Sequence, residues 1–107
     1  MVEGKASIEI ERGVIEFVKE EAKRLGIKRP AVLILDCGCM MNDQAVELDI
    51  KEDRPYEEYE LYTEVSGVKF YVKSKIRRAV EGGKIGLKTY GAGRFKRLEF
   101  YPRLCQR

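Results

Sequence analysis

An α+β fold is predicted by three features of the chain: one apolar helical face, a later series of alternating segments, and short links between those segments. Val14, Phe17, Val18, Ala22 and Leu25 recur at spacings of three and four, giving the stretch from Gly13 to Leu25 a single apolar face. Val46, Leu48 and Ile50 alternate with Glu47 and Asp49, and Val68, Phe70 and Val72 alternate with Lys69 and Tyr71. Short strand-to-strand links favour mostly antiparallel pairing. The regularly repeating helices of a doubly wound sheet are missing.

In chain order, Ser7-Ile8-Glu9-Ile10 alternates and reads as a short first strand. The helix follows, with Gly26 as its C-terminal stop and Pro30 beyond it. Ala31 to Leu35 is a continuous apolar run rich in branched residues, expected as a central strand covered on both faces. Asp36 to Asp43 interrupts the pattern, and alternation resumes at Val46. The acidic stretch from Lys51 to Glu60 contains Pro55 and reads as an exposed connection. Tyr59 to Val65 and Gly67 to Val72 are strands, and Ser74 to Val80 is a short helix capped by Ser74 and stopped at Gly82-Gly83. Lys84 to Tyr90 and Phe95 to Tyr101 form a closing hairpin around Gly91-Ala92-Gly93.

A chain of 107 residues fits one domain, 1–107. It has no His, which removes most hydrolytic triads and mixed His/Cys zinc sites. No glycine-rich phosphate loop follows a strand, so no enzyme class is indicated. Charged residues make up 36% of the chain, well above the usual quarter, and Glu, Lys and Arg dominate as in heat-adapted proteins. The N-terminal residues lack the apolar run of a secretion signal, and no stretch has the length to span a bilayer. Together with three cysteines, an odd count, this points to the cytoplasm.

The net charge of +3 conceals an asymmetry. Residues 1–68 hold 9 basic and 16 acidic side chains, whereas residues 69–107 hold 12 basic and 2 acidic. The two parts therefore carry −7 and +10. The favoured reading is mutual compensation within one fold, and the sharper one is a basic face for nucleic acid or an acidic partner. Tyr71, Tyr90 and Tyr101 stand beside basic residues and could stack on bases, but tyrosine is also an ordinary strand residue.

Cys37 and Cys39 follow the central strand directly. Side chains two apart on a strand share a face, and Gly38 frees the backbone so that both sulfurs can converge. Convergent thiolates suit a soft metal such as zinc or an iron–sulfur cluster. Cys105 is the only other thiol, so a fourth ligand must come from elsewhere. The same pair could instead cycle between dithiol and a strained, easily reduced disulfide, or be inert buried thiols. Met40 and Met41 read as packing residues, and Asn42 and Asp43 as turn residues.

With this order of elements the chain resembles the HesB/IscA-like family, the A-type iron–sulfur carriers, from about Ile8 to Pro102. The resemblance rests on the opening strand and helix, the cysteine loop after the next strand, and Gly67-Val68-Lys69-Phe70-Tyr71-Val72 followed by a short helix. Lys84-Ile85-Gly86-Leu87 and the closing Phe95 to Tyr101 strand complete it. It implies a small, mostly antiparallel β-sandwich of HesB-like type with one long and one short helix. It also implies a homodimer that binds an iron–sulfur cluster or iron and exchanges it with donor or acceptor proteins, with no catalytic residue. Family carriers hold one loop cysteine and a C-terminal Cys-x-Cys. Here the pair lies in the loop and Cys105 stands alone near the end. The ligand set expected is thus Cys37, Cys39 and Cys105, with iron or a cluster as cargo and zinc as the other candidate. The alternatives are a thiol-redox protein using Cys37 and Cys39, or a nucleic-acid module using the basic C-terminal half, the least favoured of the three.

Overall fold

The structure, a computed structural model, describes residues 8–36, 46–92 and 95–101. Its helix α1, Val14–Leu25, buries Val14, Val18 and Ala22 at four-residue spacing. Gly13 precedes it at φ 94° and Gly26 ends it at φ 78°, where the Ile27 N–H reaches back to the Ala22 carbonyl at 2.8 Å. Both glycines hold the left-handed backbone that a side chain resists. Leu25, expected on the apolar face, is 53% exposed and lines an open groove between α1 and the third and seventh strands.

Four strands form one sheet in the order β3 (Val46–Glu52), β2 (Pro30–Asp36), β5 (Val68–Lys73) and β4 (Tyr59–Val65). Three more form a second sheet in the order β1 (Glu9–Ile10), β6 (Lys84–Tyr90) and β7 (Phe95–Tyr101). The architecture is α+β with two sheets, as expected. The pairing is less uniformly antiparallel than short links imply: β2–β5 and β1–β6 are parallel. Chain neighbours do not decide this, because β2 and β5 become adjacent only after β3 and β4 have turned outward to the two sheet edges.

β2 is interior, with Ala31, Val32, Leu33 and Ile34 all buried, so the continuous apolar run is covered on both faces. Val32, Ile34, Val68, Phe70 and Val72 from the larger sheet meet Val14 and Val18 of α1 and Ile85 and Phe100 of the second sheet in one core. Ser66 and Gly67, both at positive φ, make the tight turn between β4 and β5, so Gly67 belongs to the turn and the strand begins at Val68. Gly83 is needed for a different reason: a Cβ there would lie 2.2 Å from the Phe100 ring.

The short helix expected at Ser74 to Val80 is a 3-10 turn, Ser74–Ile76, running into a single α turn, α2, Arg77–Val80. Ser74 makes no side-chain cap. Its backbone N–H instead donates to the Glu58 carbonyl at 2.8 Å.

The acidic connection is shorter than expected, because β3 absorbs Lys51 and Glu52 and β4 begins at Tyr59. What remains is tied down at its start: the Asp53 N–H donates to the Arg29 carbonyl at 2.7 Å, next to Glu52 at the end of β3, which accepts from the Lys28 and Arg29 N–H groups at 3.2 Å each. The Tyr71 hydroxyl donates to Asp53 at 2.7 Å.

Candidate functional site

Cys37, Cys39 and Cys105 all lie outside the described residues, as do Met40, Met41, Asn42 and Asp43. What the structure places is the framework from which these segments depart. Asp36, the last residue of β2, is the register partner of Val46, the first of β3. The chain from Cys37 to Gln44 and Ala45 therefore leaves and re-enters across one rung of an antiparallel ladder. Both feet are firmly set, since the ladder runs unbroken from Asp36↔Val46 to Pro30↔Glu52.

The parallel partner of β2 decides what stands beside this exit. Ile34 is in register with Val72 of β5, and both strands run the same way. The chain leaving β5 therefore emerges at the same sheet edge as the cysteine loop. That chain is Lys73, Ser74, Lys75, Ile76, Arg77, Arg78, so four cations are delivered to the edge by topology. Arg77 is engaged there, 2.8 Å from the Glu60 carboxylate and 5.7 Å from the centre of the Tyr62 ring. Sequence reading took this segment only as a short helix. No local signal links it to Cys37, because the link is a β2–β5 pairing between residues nearly forty positions apart.

The C-terminal exit sits at the far end of the same segment. Tyr101 closes β7 opposite Lys84, the first residue of β6, and Lys84 follows Val80 by one short turn in which the Gly83 N–H donates to the Val80 carbonyl at 3.1 Å. Ser74 to Val80 thus spans from the foot of the cysteine loop to the strand end that precedes Cys105. Seven residues of mixed 3-10 and α geometry cover about 12 Å.

A groove of about 570 Å³ lies on another side, between α1, β3 and β7. Phe17, Leu25, Leu48 and Leu98 contribute apolar surface, and its charges are mixed, with Glu21, Glu47, Asp49 and Glu99 alongside Arg24, Lys96 and Arg97. Val46, the re-entry point of the loop, is at its margin. Among the described residues no three His, Cys, Asp or Glu side chains converge as metal ligands, and no helix is long and apolar enough to cross a membrane.

Of the tyrosines considered for base stacking, Tyr71 and Tyr101 are held locally, and the Tyr90 side chain lies outside what the structure describes. Tyr71 packs edge-on against Tyr56 at 6.0 Å, and its hydrogen bond to Asp53 pushes its hydroxyl up to about 12. The same bond, aided by Lys69 at 3.4 Å, holds the Asp53 carboxyl below the usual carboxylate range. Tyr101 lies half-buried beside Lys84, 5.9 Å from its ammonium.

Comparison with solved structures places this architecture. Escherichia coli SufA, a protein involved in the biosynthesis of iron–sulfur clusters, superposes with a TM-score of 0.65 at 14% identity, over 92% of this chain and 88% of that one. The fold is HesB-like. A protein of Aquifex aeolicus solved in solution by NMR also shares it, with a TM-score of 0.57 and 20% identity over 92% of this chain and 98% of that one. No protein-family model matches the sequence, and no curated protein matches it. The likeness to both solved structures is thus one of backbone geometry, at 14% and 20% identity.

Proposed function

We propose that this chain binds an iron–sulfur cluster, or iron, through Cys37 and Cys39 with Cys105 as a third thiolate, and hands it to another protein. The observation that carries this reading is the shared fold with SufA, whose role lies in iron–sulfur cluster biosynthesis, combined with a cysteine pair issuing from a fixed sheet edge. Thiolates are the soft, charged ligands that such cargo requires. Cys105 lies four residue steps beyond Tyr101, at most about 14 Å of extended chain. In this reading Cys105 joins the loop pair within one chain, while a homodimer in the cytoplasm would pool six thiols and supply the missing fourth ligand. Positive charge favours thiolate over thiol, so the cations that follow β5 would act in this direction on any cysteine they reach. No catalytic residue is required: the chemistry is ligand exchange at sulfur.

Anaerobic reconstitution with iron and sulfide tests the reading. The expected product is coloured, with visible absorption lost in Cys37→Ser/Cys39→Ser and weakened in Cys105→Ser. A colourless product with unchanged thiol titre would end it, and stoichiometric zinc in its place would redirect it to a zinc-thiolate site. The cation-rich edge also favours the thiol-redox reading. In that case a reversible Cys37–Cys39 disulfide would form with a potential above about −300 mV, the region below which structural bonds fall.

A further inference from the structure

The charge asymmetry of the chain is only partly compensated in the fold. Lys69 pairs with Asp53 at 3.4 Å, Arg77 with Glu60 at 2.8 Å and Lys84 with Glu11 at 3.6 Å, each joining the basic part of the chain to the acidic part. Compensation stops along the β6–β7 ribbon. Lys88, Lys96 and Arg97 are exposed there, and among the described residues none of the three holds an ion pair.

Their arrangement is specific. Lys88 and Arg97 are register partners, so two cations stand directly opposite each other on one face of the ribbon, a placement that costs stability. Phe95 lies two residues from Arg97, hence on the same face, and is 56% exposed. The opposite face is the core face, with Ile85 and Phe100 buried. Toward the body of the molecule the cationic face ends. The next rung there carries Glu99 opposite Gly86, and the Glu11 carboxylate accepts from the Leu87 N–H at 3.2 Å beside it. The positive stretch with its aromatic neighbour is therefore two rungs long, about 7 Å.

We propose that this end of the β6–β7 ribbon is a docking surface for an acidic segment of another protein. Carboxylates of that segment would meet Lys88 and Arg97, and an apolar side chain would cover Phe95. An uncompensated cation pair beside an exposed aromatic ring is the composition of a protein contact with an apolar anchor and a charged rim. A nucleic-acid strand presents phosphates at regular intervals and would run onto Glu99 within one further rung, so the short patch suits a compact acidic site better. The surface lies on the ribbon rather than on the cysteine segments, and binding to it does not depend on whether cargo is held.

Fluorescence anisotropy of a labelled peptide of alternating Glu and Leu, titrated with the metal-free chain at low salt, tests the proposal. Wild type is expected to bind, with Lys88→Gln/Arg97→Gln weakening affinity by about tenfold or more and Phe95→Ser by about fivefold. Lys19→Gln/Lys23→Gln removes equal charge from exposed positions on α1 and should change affinity by less than about twofold. Circular dichroism melts would confirm that the variants fold. Failure of wild type to bind the peptide, or equal weakening in the α1 control, overturns the proposal. Tighter binding of an oligothymidylate than of the peptide in the same buffer overturns it in favour of nucleic acid. Self-association in sedimentation that disappears in Lys88→Gln/Arg97→Gln overturns it in favour of a second copy of this chain.

Discussion

Tyr71 and Asp53 show how single residues here bind a connection to a sheet. Tyr71 stands on β5 facing away from the core, and Asp53 begins the link that leaves β3. Their 2.7 Å hydrogen bond holds Asp53 below its ordinary range and pushes Tyr71 up to about 12. The linkage has two limbs. Because the folded-state pKa of Asp53 is depressed, its contribution is present above the unfolded value near pH 4 and is lost as pH falls through the folded one. Because that of Tyr71 is raised, its contribution is present below about pH 10 and is lost as pH rises through about 12. Tyr71→Phe should therefore lower stability by about 1–2 kcal/mol at neutral pH, with the gap to wild type closing on acidification below about pH 4. Urea denaturation across pH measures this, and a difference that did not vary with pH would refute the assignment. In sequence Tyr71 reads as an ordinary strand residue beside lysines, or as a ring that could stack on bases. Nothing local announces Asp53 as its partner eighteen positions away.

Among the elements, β2 carries most of what matters to the site. It is interior to its sheet, its ladder to β3 sets the feet of the cysteine loop, and its parallel pairing with β5 brings in the Lys73 to Arg78 segment. Ile34, fully buried near the end of β2, supports all three relations. Ile34→Ala should cost about 3 kcal/mol. Leu61→Ala on the edge strand β4, where the side chain is 52% exposed, should cost less than about 1 kcal/mol. Denaturant midpoints at constant m-value would show the contrast. The existence of β2 and its burial were legible from the apolar run Ala31 to Leu35, since only a strand covered on both faces tolerates such a run. Its neighbours were not. Which strands pair is settled by long-range closure of the core: β3 shows the half-buried alternation of any edge strand, and β4, with its register shift between Leu61 and Thr63, does not alternate strictly.

For the molecule as a whole, charge is arranged on the surface and stability resides in the core. The ion pairs lie among exposed or half-exposed side chains, from Arg24–Glu21 at 2.7 Å to Arg29–Glu52 at 4.0 Å. Such pairs contribute little each and are screened by salt. Raising sodium chloride from low concentration to about 1 M should therefore move unfolding stability by less than about 1 kcal/mol, read by denaturant titration at each salt level. Peptide binding at the β6–β7 ribbon should instead fall steeply over the same range, because Lys88 and Arg97 hold no ion pair among the described residues.

The sequence by itself determined the fold class, nearly every strand and helix, and the candidacy of Cys37 and Cys39, because those depend on local periodicity, on glycine stops and on the chemistry of thiols. Only the tertiary structure decided that β2 and β5 end side by side, so that the cationic Ser74 to Val80 segment starts next to Asp36, and that Lys88 and Arg97 stand opposite each other on the ribbon with no ion pair among the described residues. These follow from which strands lie side by side, and that choice is made by burying Val32, Ile34, Phe70, Val72, Ile85 and Phe100 together rather than by any stretch of the chain acting alone.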